Sequence, residues 1–155
     1  MSQVTIGKKV PNFTSPATGE KNISLSELKG KKVVVYFYPK DNTPGCTTEG
    51  QNFRDTHAKF KRANTIILGV SRDSVRTHEN FKKKHEFPFD LLSDKEETVC
   101  QLFDVIKEKK LYGKTHMGIE RSTFLIDEKG VLKQEWRKLK VAGHVDEVLE
   151  AVKSI

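Results

Sequence analysis

Between Val33 and Tyr38 the chain runs through six consecutive apolar or aromatic positions, Val-Val-Val-Tyr-Phe-Tyr. A run so short and unbroken predicts a strand covered on both faces. Thr65–Ser71 (Thr-Ile-Ile-Leu-Gly-Val-Ser) predicts a second buried strand. Between the two, Cys46, Glu49, Phe53 and Phe60 recur at helical spacing, which predicts a helix from Cys46 to about Phe60 with the cysteine side turned inward. Ser74 is a capping residue type and opens a helix reaching about His85. Phe89–Leu92 reads as a short strand and Glu96–Phe103 as a short helix. Arg121–Ile126 and Val131–Arg137 flank Asp127-Glu-Lys-Gly130, a hairpin signal in which glycine supplies the awkward dihedral. A last helix from about His144 carries Val145, Val148, Leu149, Val152 and Ile155 on one face. Residues 1–30 are turn-rich, with Pro11, Pro16, Gly19 and Gly30, and leave room for short strands plus one helical turn at Leu25–Leu28.

From residue 32 the order is therefore strand, helix, strand, helix, strand, helix, hairpin, helix. Helices returning to parallel strands, followed by a terminal hairpin, predict an α/β fold with a mixed central sheet between helical layers. The same order is that of a thioredoxin-like three-layer sandwich with insertions. No repeat, low-complexity block or linker divides the chain, and its 155 residues suit a single domain over 1–155.

Composition narrows the setting. Apolar residues are 35% and charged residues 32%, so the core must be compact and the surface highly charged. No apolar run approaches the roughly 20 residues of a membrane span. The first residues, Met-Ser-Gln-Val-Thr-Ile-Gly-Lys-Lys, show no signal h-region. Two cysteines without an export signal read as reduced thiols in a cytoplasmic compartment rather than as a disulfide framework. Lysine and arginine number 28 against 21 acidic residues, a net charge of +7. The excess gathers partly at Lys82–Lys84 and Lys107–Lys110. With no zinc-finger spacing, RNP aromatics or long basic tract, these clusters read as solvated helix surface rather than a nucleic-acid face, and they suit the guidance of an acidic protein partner equally well. His57, His78, His85, His116 and His144 form no close ligand pair, so no metal site is expected.

The chemistry concentrates in Pro39-Lys-Asp-Asn-Thr43-Pro-Gly-Cys46. This stretch joins the first buried strand to the first helix and leaves Cys46 in the first helical turn. Unpaired N–H groups and the positive end of the helix dipole favour a thiolate there, the nucleophilic form of cysteine. Cys100, flanked by Val99, Leu102 and Phe103, reads instead as an inert core residue. A thioredoxin-type dithiol is excluded, because the position three before Cys46 is Thr43.

Pro39-x-x-x-Thr43-x-x-Cys46 resembles the peroxiredoxin active-site motif, and the surrounding Tyr36–Glu49 segment is similar to its bacterioferritin-comigratory-protein branch, PrxQ. The likeness continues through Phe53–Asp55, Leu92–Asp94, Gly113–Thr115 and Gly118–Asp127, nearly the whole chain. It implies a thiol-dependent peroxidase acting on hydrogen peroxide and organic hydroperoxides without metal, haem or flavin. By matching position it implies that Cys46 is the peroxidatic nucleophile, that Thr43 holds the peroxide, that Pro39 shields the thiolate, that Arg121 stabilises the thiolate and the leaving oxyanion, and that Glu49 orients an arginine. In this branch a resolving cysteine often lies five residues after the peroxidatic one; here that residue is Gln51. The expectation is a one-cysteine enzyme, monomer or weak dimer, resolved by an external thiol such as glutathione, a glutaredoxin or thioredoxin. The alternative is a redox-sensing or chaperone-like protein with little turnover.

Overall fold

The computed structural model describes residues 3–155. Its centre is a seven-stranded mixed sheet. In chain order the strands of this sheet are β1 (Thr14–Ala17), β2 (Lys21–Ser24), β3 (Lys32–Phe37), β4 (Thr65–Ser71), β5 (Asp90–Ser93), β8 (Ser122–Ile126) and β9 (Leu132–Trp136). Their spatial order is β2-β1-β5-β4-β3-β8-β9, with β3, β4 and β5 mutually parallel and the outer pairs antiparallel. The helices are α1 (Pro44–Arg62), α2 (Val75–His85), α3 (Thr98–Leu102) and α4 (His144–Lys153), with a 3₁₀ turn at Leu25–Leu28. The remaining strands, β6 (Ile106–Leu111) and β7 (Lys114–Ile119), pair only with each other as a separate ribbon.

Two-residue alternation along β3 divides the core. Val34, Tyr36 and Tyr38 face a cluster that includes Cys46, Phe53 and Phe60 of α1, Phe81 of α2 and Val145, Val148 and Val152 of α4. Val33, Val35 and Phe37 face the other cluster, with Phe13, Leu25, Phe124 and Val99, Cys100 and Leu102 of α3. The sheet with helices on both sides is the thioredoxin-like α/β arrangement expected from the strand–helix order.

Three local features depart from the sequence reading. The helix expected from Cys46 begins at Pro44, because Pro44 occupies the first helical position, where a missing N–H costs nothing. Ile155 lies beyond α4 and is exposed, so it is not part of that helix's apolar face. Lys107–Lys110, expected on a helix surface, belongs to β6; charged residues on a two-stranded ribbon carry neither a 3.6 nor a hydrophobic two-residue signal. Ser74 caps α2 as expected, accepting a hydrogen bond from the Thr77 N–H.

Candidate active site

β3 ends at Phe37, and residues 38–43 form the turn into α1. Thr43 is the N-cap residue, yet its hydroxyl makes no cap bond and instead donates to the Lys40 carbonyl at 2.8 Å. Its own carbonyl accepts from the Thr47 N–H at 2.9 Å and so starts the helix. Pro39, partly buried, opens the same turn. Cys46 follows in the first turn, 2% exposed, on the inward face with Glu49, Gly50, Phe53 and Phe60.

Arg121 comes from the link between β7 and β8, the strand next to β3, and its guanidinium forks over this turn. Nη2 donates to Cys46 Sγ at 3.4 Å and Nη1 donates to Glu49 Oε1 at 2.6 Å. The planar fork lets one charge serve both groups. Gly45 makes room for it: a Cβ there would lie 3.1 Å from Nη2. Glu49 is wholly buried, and its second oxygen has no partner among the described residues. Burial pushes its carboxyl up to about 7, although Arg121 pulls the other way. Beneath lies Tyr36, stacked on Phe53 at 4.6 Å, with its hydroxyl also unpartnered. Burial and then the charges of Glu49 and Cys46 push the phenol well above its usual range, so it stays protonated.

The turn is held from behind by a buried polar network. Asp41 accepts from the Tyr38 hydroxyl at 2.6 Å through Oδ1 and lies 2.6 Å from His78 Nδ1 through Oδ2. The other ring nitrogen of His78 is 2.8 Å from the Leu92 carbonyl, which can only accept, so Nε2 carries a proton. Asp73 completes the network, accepting from the Asp41 N–H and the Ser71 hydroxyl. Asp41, Asp73 and His78 have ligand atoms within 4.8 Å of one another. The His78 nitrogens and both Asp41 oxygens are already engaged, however, so these residues fit a proton-sharing anchor rather than a metal site.

Of the residues singled out by the sequence, Cys46, Glu49 and Arg121 meet directly, while Thr43 and Pro39 belong to the turn that delivers the cysteine. Missed were Gly45, Tyr36 and the Asp41–His78 anchor. One signal for His78 existed: it stands three residues before buried Phe81 on the inward face of α2.

Gly50 is shaped by packing. A Cβ there would lie 2.4 Å from the Phe87 ring, so α1 presses on Phe87 through its glycine. Cys100 is wholly buried, and both carboxylate oxygens of Asp94 accept N–H groups at the start of its helix, one of them from Cys100 itself. Burial, and then the Asp94 charge, drive its thiol far above the ordinary range, away from reactivity.

Comparison with known proteins identifies the family. Residues 6–135 match the AhpC/TSA family. The chain is 51% identical to peroxiredoxin Bcp of Bacillus subtilis over 152 residues, 98% of this chain and 97% of that protein. A solved structure of the Xanthomonas campestris bacterioferritin comigratory protein, concerned with its alkyl peroxide reduction activity, is 51% identical and superposes with a TM-score of 0.88 over 92% of this chain and 90% of its own. A cysteine-to-serine mutant of Xylella fastidiosa PrxQ is 43% identical, with a TM-score of 0.93 over 99% and 98% of the two chains. A cysteine on a helix N-terminus under an arginine fork, in a thioredoxin-like sheet so closely matched along its length, places the chain in the AhpC/TSA family as a peroxiredoxin of the Bcp/PrxQ branch, a thiol-dependent peroxidase.

Proposed function

We propose that residues 1–155 work as a single-domain, one-cysteine peroxidase in which Cys46 is the peroxidatic residue and an external thiol completes the cycle. The Cys46 thiolate attacks the distal oxygen of a hydroperoxide, hydrogen peroxide or an organic one. The S–O bond forms, the O–O bond breaks, and the remaining alkoxide or hydroxide takes a proton from the medium. Cys46 is left as sulfenic acid. The first-turn amides of α1 and the Arg121 guanidinium are the groups suited to the sulfur anion and to the departing oxyanion. Thr43 has its proton committed to Lys40, so its oxygen is free to accept from the incoming hydroperoxide O–H. Pro39, half-buried in the same turn, is the residue in this reading that shields the thiolate from water. Glu49, bonded to Nη1, keeps the fork aimed.

The observation that carries the one-cysteine reading is the sheet itself. Cys46 packs with Val34, Tyr36 and Tyr38, and Cys100 packs with Val33, Val35 and Phe37, so the two thiols lie on opposite faces of β3. A disulfide needs Cα atoms within about 7 Å, and the buried central strand intervenes. Gln51 supplies no thiol, and α1 is locked around Gly50 by Phe87. A thiol from outside must therefore attack the sulfenic sulfur, expelling water. A second thiol then attacks the partner's sulfur of that mixed disulfide and returns Cys46 as thiolate.

Mass spectrometry after one equivalent of hydrogen peroxide, with and without a thiol trap, tests this. Cys46 should gain one oxygen and the trap should capture it, while Cys100 stays a free thiol. Cys46→Ser should stop turnover with dithiothreitol and Cys100→Ser should keep most of it. A peptide linking residues 46 and 100, or loss of turnover in folded Cys100→Ser, would sink the one-cysteine cycle. Consumption of a single equivalent with no turnover under excess thiol would instead identify a sensor.

A further inference from the structure

Among the described residues, the strands of the β6–β7 arm pair with each other and not with the main sheet, and their bonds to the body lie toward the root. Ile106 and Ile119 pack at the core, the Glu120 N–H donates to the Val105 carbonyl, and Arg72, paired with Glu97, donates to the Met117 carbonyl. From that root the six-residue strands extend about 20 Å at the usual antiparallel rise. Residues 112–117 are all exposed, and Tyr112 at the tip is 95% exposed.

Register sorts the arm's charges onto one side. Lys107 pairs with Gly118, and Lys109 pairs with His116. Two-residue alternation puts Lys114 on that same face. The only acidic residue within the two strands, Glu108, pairs with Met117 and belongs to the other face, with Lys110 and Thr115. Between root and tip one face therefore presents Lys107, Lys109, Lys114 and His116, and the nearest chain carboxylate on that alternation is Glu120, just past β7 at the root. Lys107 is paired with Asp104 of the body, while Lys114 has no carboxylate partner among the described residues.

This cationic face runs into the thiol site. Gly118 leaves space for the Lys109 stem, which would meet a Cβ there at 3.3 Å, and the stem lies along the ribbon toward its root, where Arg121 follows. Lys109 is pushed below the ordinary lysine range by burial and then by the Arg121 charge, while Cys46 and then Glu120 act on it in the opposite direction. A surface whose root is two residues from Arg121, the residue that contacts Cys46, and that carries positive charge some 20 Å outward offers more than the one or two contacts a tripeptide-sized thiol needs. An exposed tyrosine at its tip is of the type enriched in protein interfaces.

We propose that the cationic face of the β6–β7 arm is the docking surface for an acidic, thiol-bearing protein that resolves Cys46. The proposal rests on the external-thiol cycle above. Charge on such a face steers encounter and sets orientation more than it adds raw affinity, so its signature is a salt-sensitive rate.

The test compares K114E/H116E with K110E/T115E. All four positions are exposed, and each pair lowers the formal charge equally, one on the cationic face and one on the other. Turnover of hydrogen peroxide is measured with dithiothreitol, with glutathione, and with a bacterial thioredoxin of net negative charge recycled by its reductase. With thioredoxin, kcat/KM of the parent should fall as salt rises. K114E/H116E should be about tenfold slower and nearly salt-insensitive, and K110E/T115E should stay within about twofold of the parent. Dithiothreitol rates should be the same in all three. Equal thioredoxin rates in both variants overturn the docking face, as does a loss confined to glutathione, which would make the occupant a small thiol. A parent dimer that K114E/H116E dissolves would make the occupant a second copy and also overturn it. A parent that turns over with dithiothreitol but not with thioredoxin overturns docking alone, whereas no turnover with any thiol overturns the peroxidase cycle beneath it.

Discussion

Replacing Glu49 with glutamine should make the protein more stable at alkaline pH and a poorer peroxidase. Glu49 is wholly buried, one oxygen is held by Arg121, and the other has no partner among the described residues. Burial raises its carboxyl from 4.5 to about 7. The folded state therefore binds this proton more tightly than the unfolded chain does. Stability from this group is fully present below about pH 4.5 and is lost as pH rises through about 7. A shift of that size corresponds to about 3 kcal/mol across the window. Glutamine keeps an oxygen for Arg121 Nη1 but has no charge to desolvate. The comparison is best made with Cys46→Ser in both arms, so that no titration of that thiol enters. Urea midpoints from about pH 4 to pH 8 should show the stability gap between Glu49→Gln and its parent growing by about 3 kcal/mol in favour of glutamine. With Cys46 restored, single-turnover oxidation by hydrogen peroxide should slow, because a neutral amide aims the guanidinium less firmly than a carboxylate does. A gap that stays flat over this pH range would mean that Glu49 remains ionised throughout and that Arg121 outweighs burial, refuting the reasoning.

Three other outcomes follow from the same geometry. Arg121→Met removes both prongs of the fork, and oxidation of Cys46 by hydrogen peroxide, followed by stopped flow, should slow about 100-fold or more; an unchanged rate would place Arg121 outside the chemistry. Gly50→Ala should destabilise by about 1–3 kcal/mol despite alanine's better helix propensity, because its Cβ would sit inside the Phe87 ring contact; a raised urea midpoint would show that Phe87 moves freely. His78→Gln breaks the buried tie to Asp41 and should cost about 3–5 kcal/mol. It should also slow Cys46 oxidation, with Asp41→Asn adding little on top in the double variant; additive effects on the rate would separate His78 from the turn.

Much of this molecule is written in local pattern. The unbroken run Val33–Tyr38 could only be a strand buried on both faces, and the spacing of Cys46, Glu49, Phe53 and Phe60 by itself names the inward side of α1. A strand that breaks at proline and restarts as a helix put Cys46 in the first turn, since that consequence depends on neighbouring residues alone. Tertiary structure decided what depends on chains meeting from afar. Arg121 lies 75 residues from Cys46, and only the antiparallel pairing of β8 with β3 carries it over the turn. Gly45 and Gly50 look like ordinary loop and helix glycines until a guanidinium and a phenyl ring occupy the space a Cβ would take. His78 and Asp41, 37 residues apart, become one anchor only when α2 packs behind the turn. The β6–β7 arm escaped the pattern because hydrophobic periodicity reports burial, and a ribbon standing in solvent has almost none to report. Which side of β3 each cysteine packs against was likewise decided in three dimensions: alternation along β3 is legible in sequence, but which face receives α1 and which receives α3 is a property of the folded sheet.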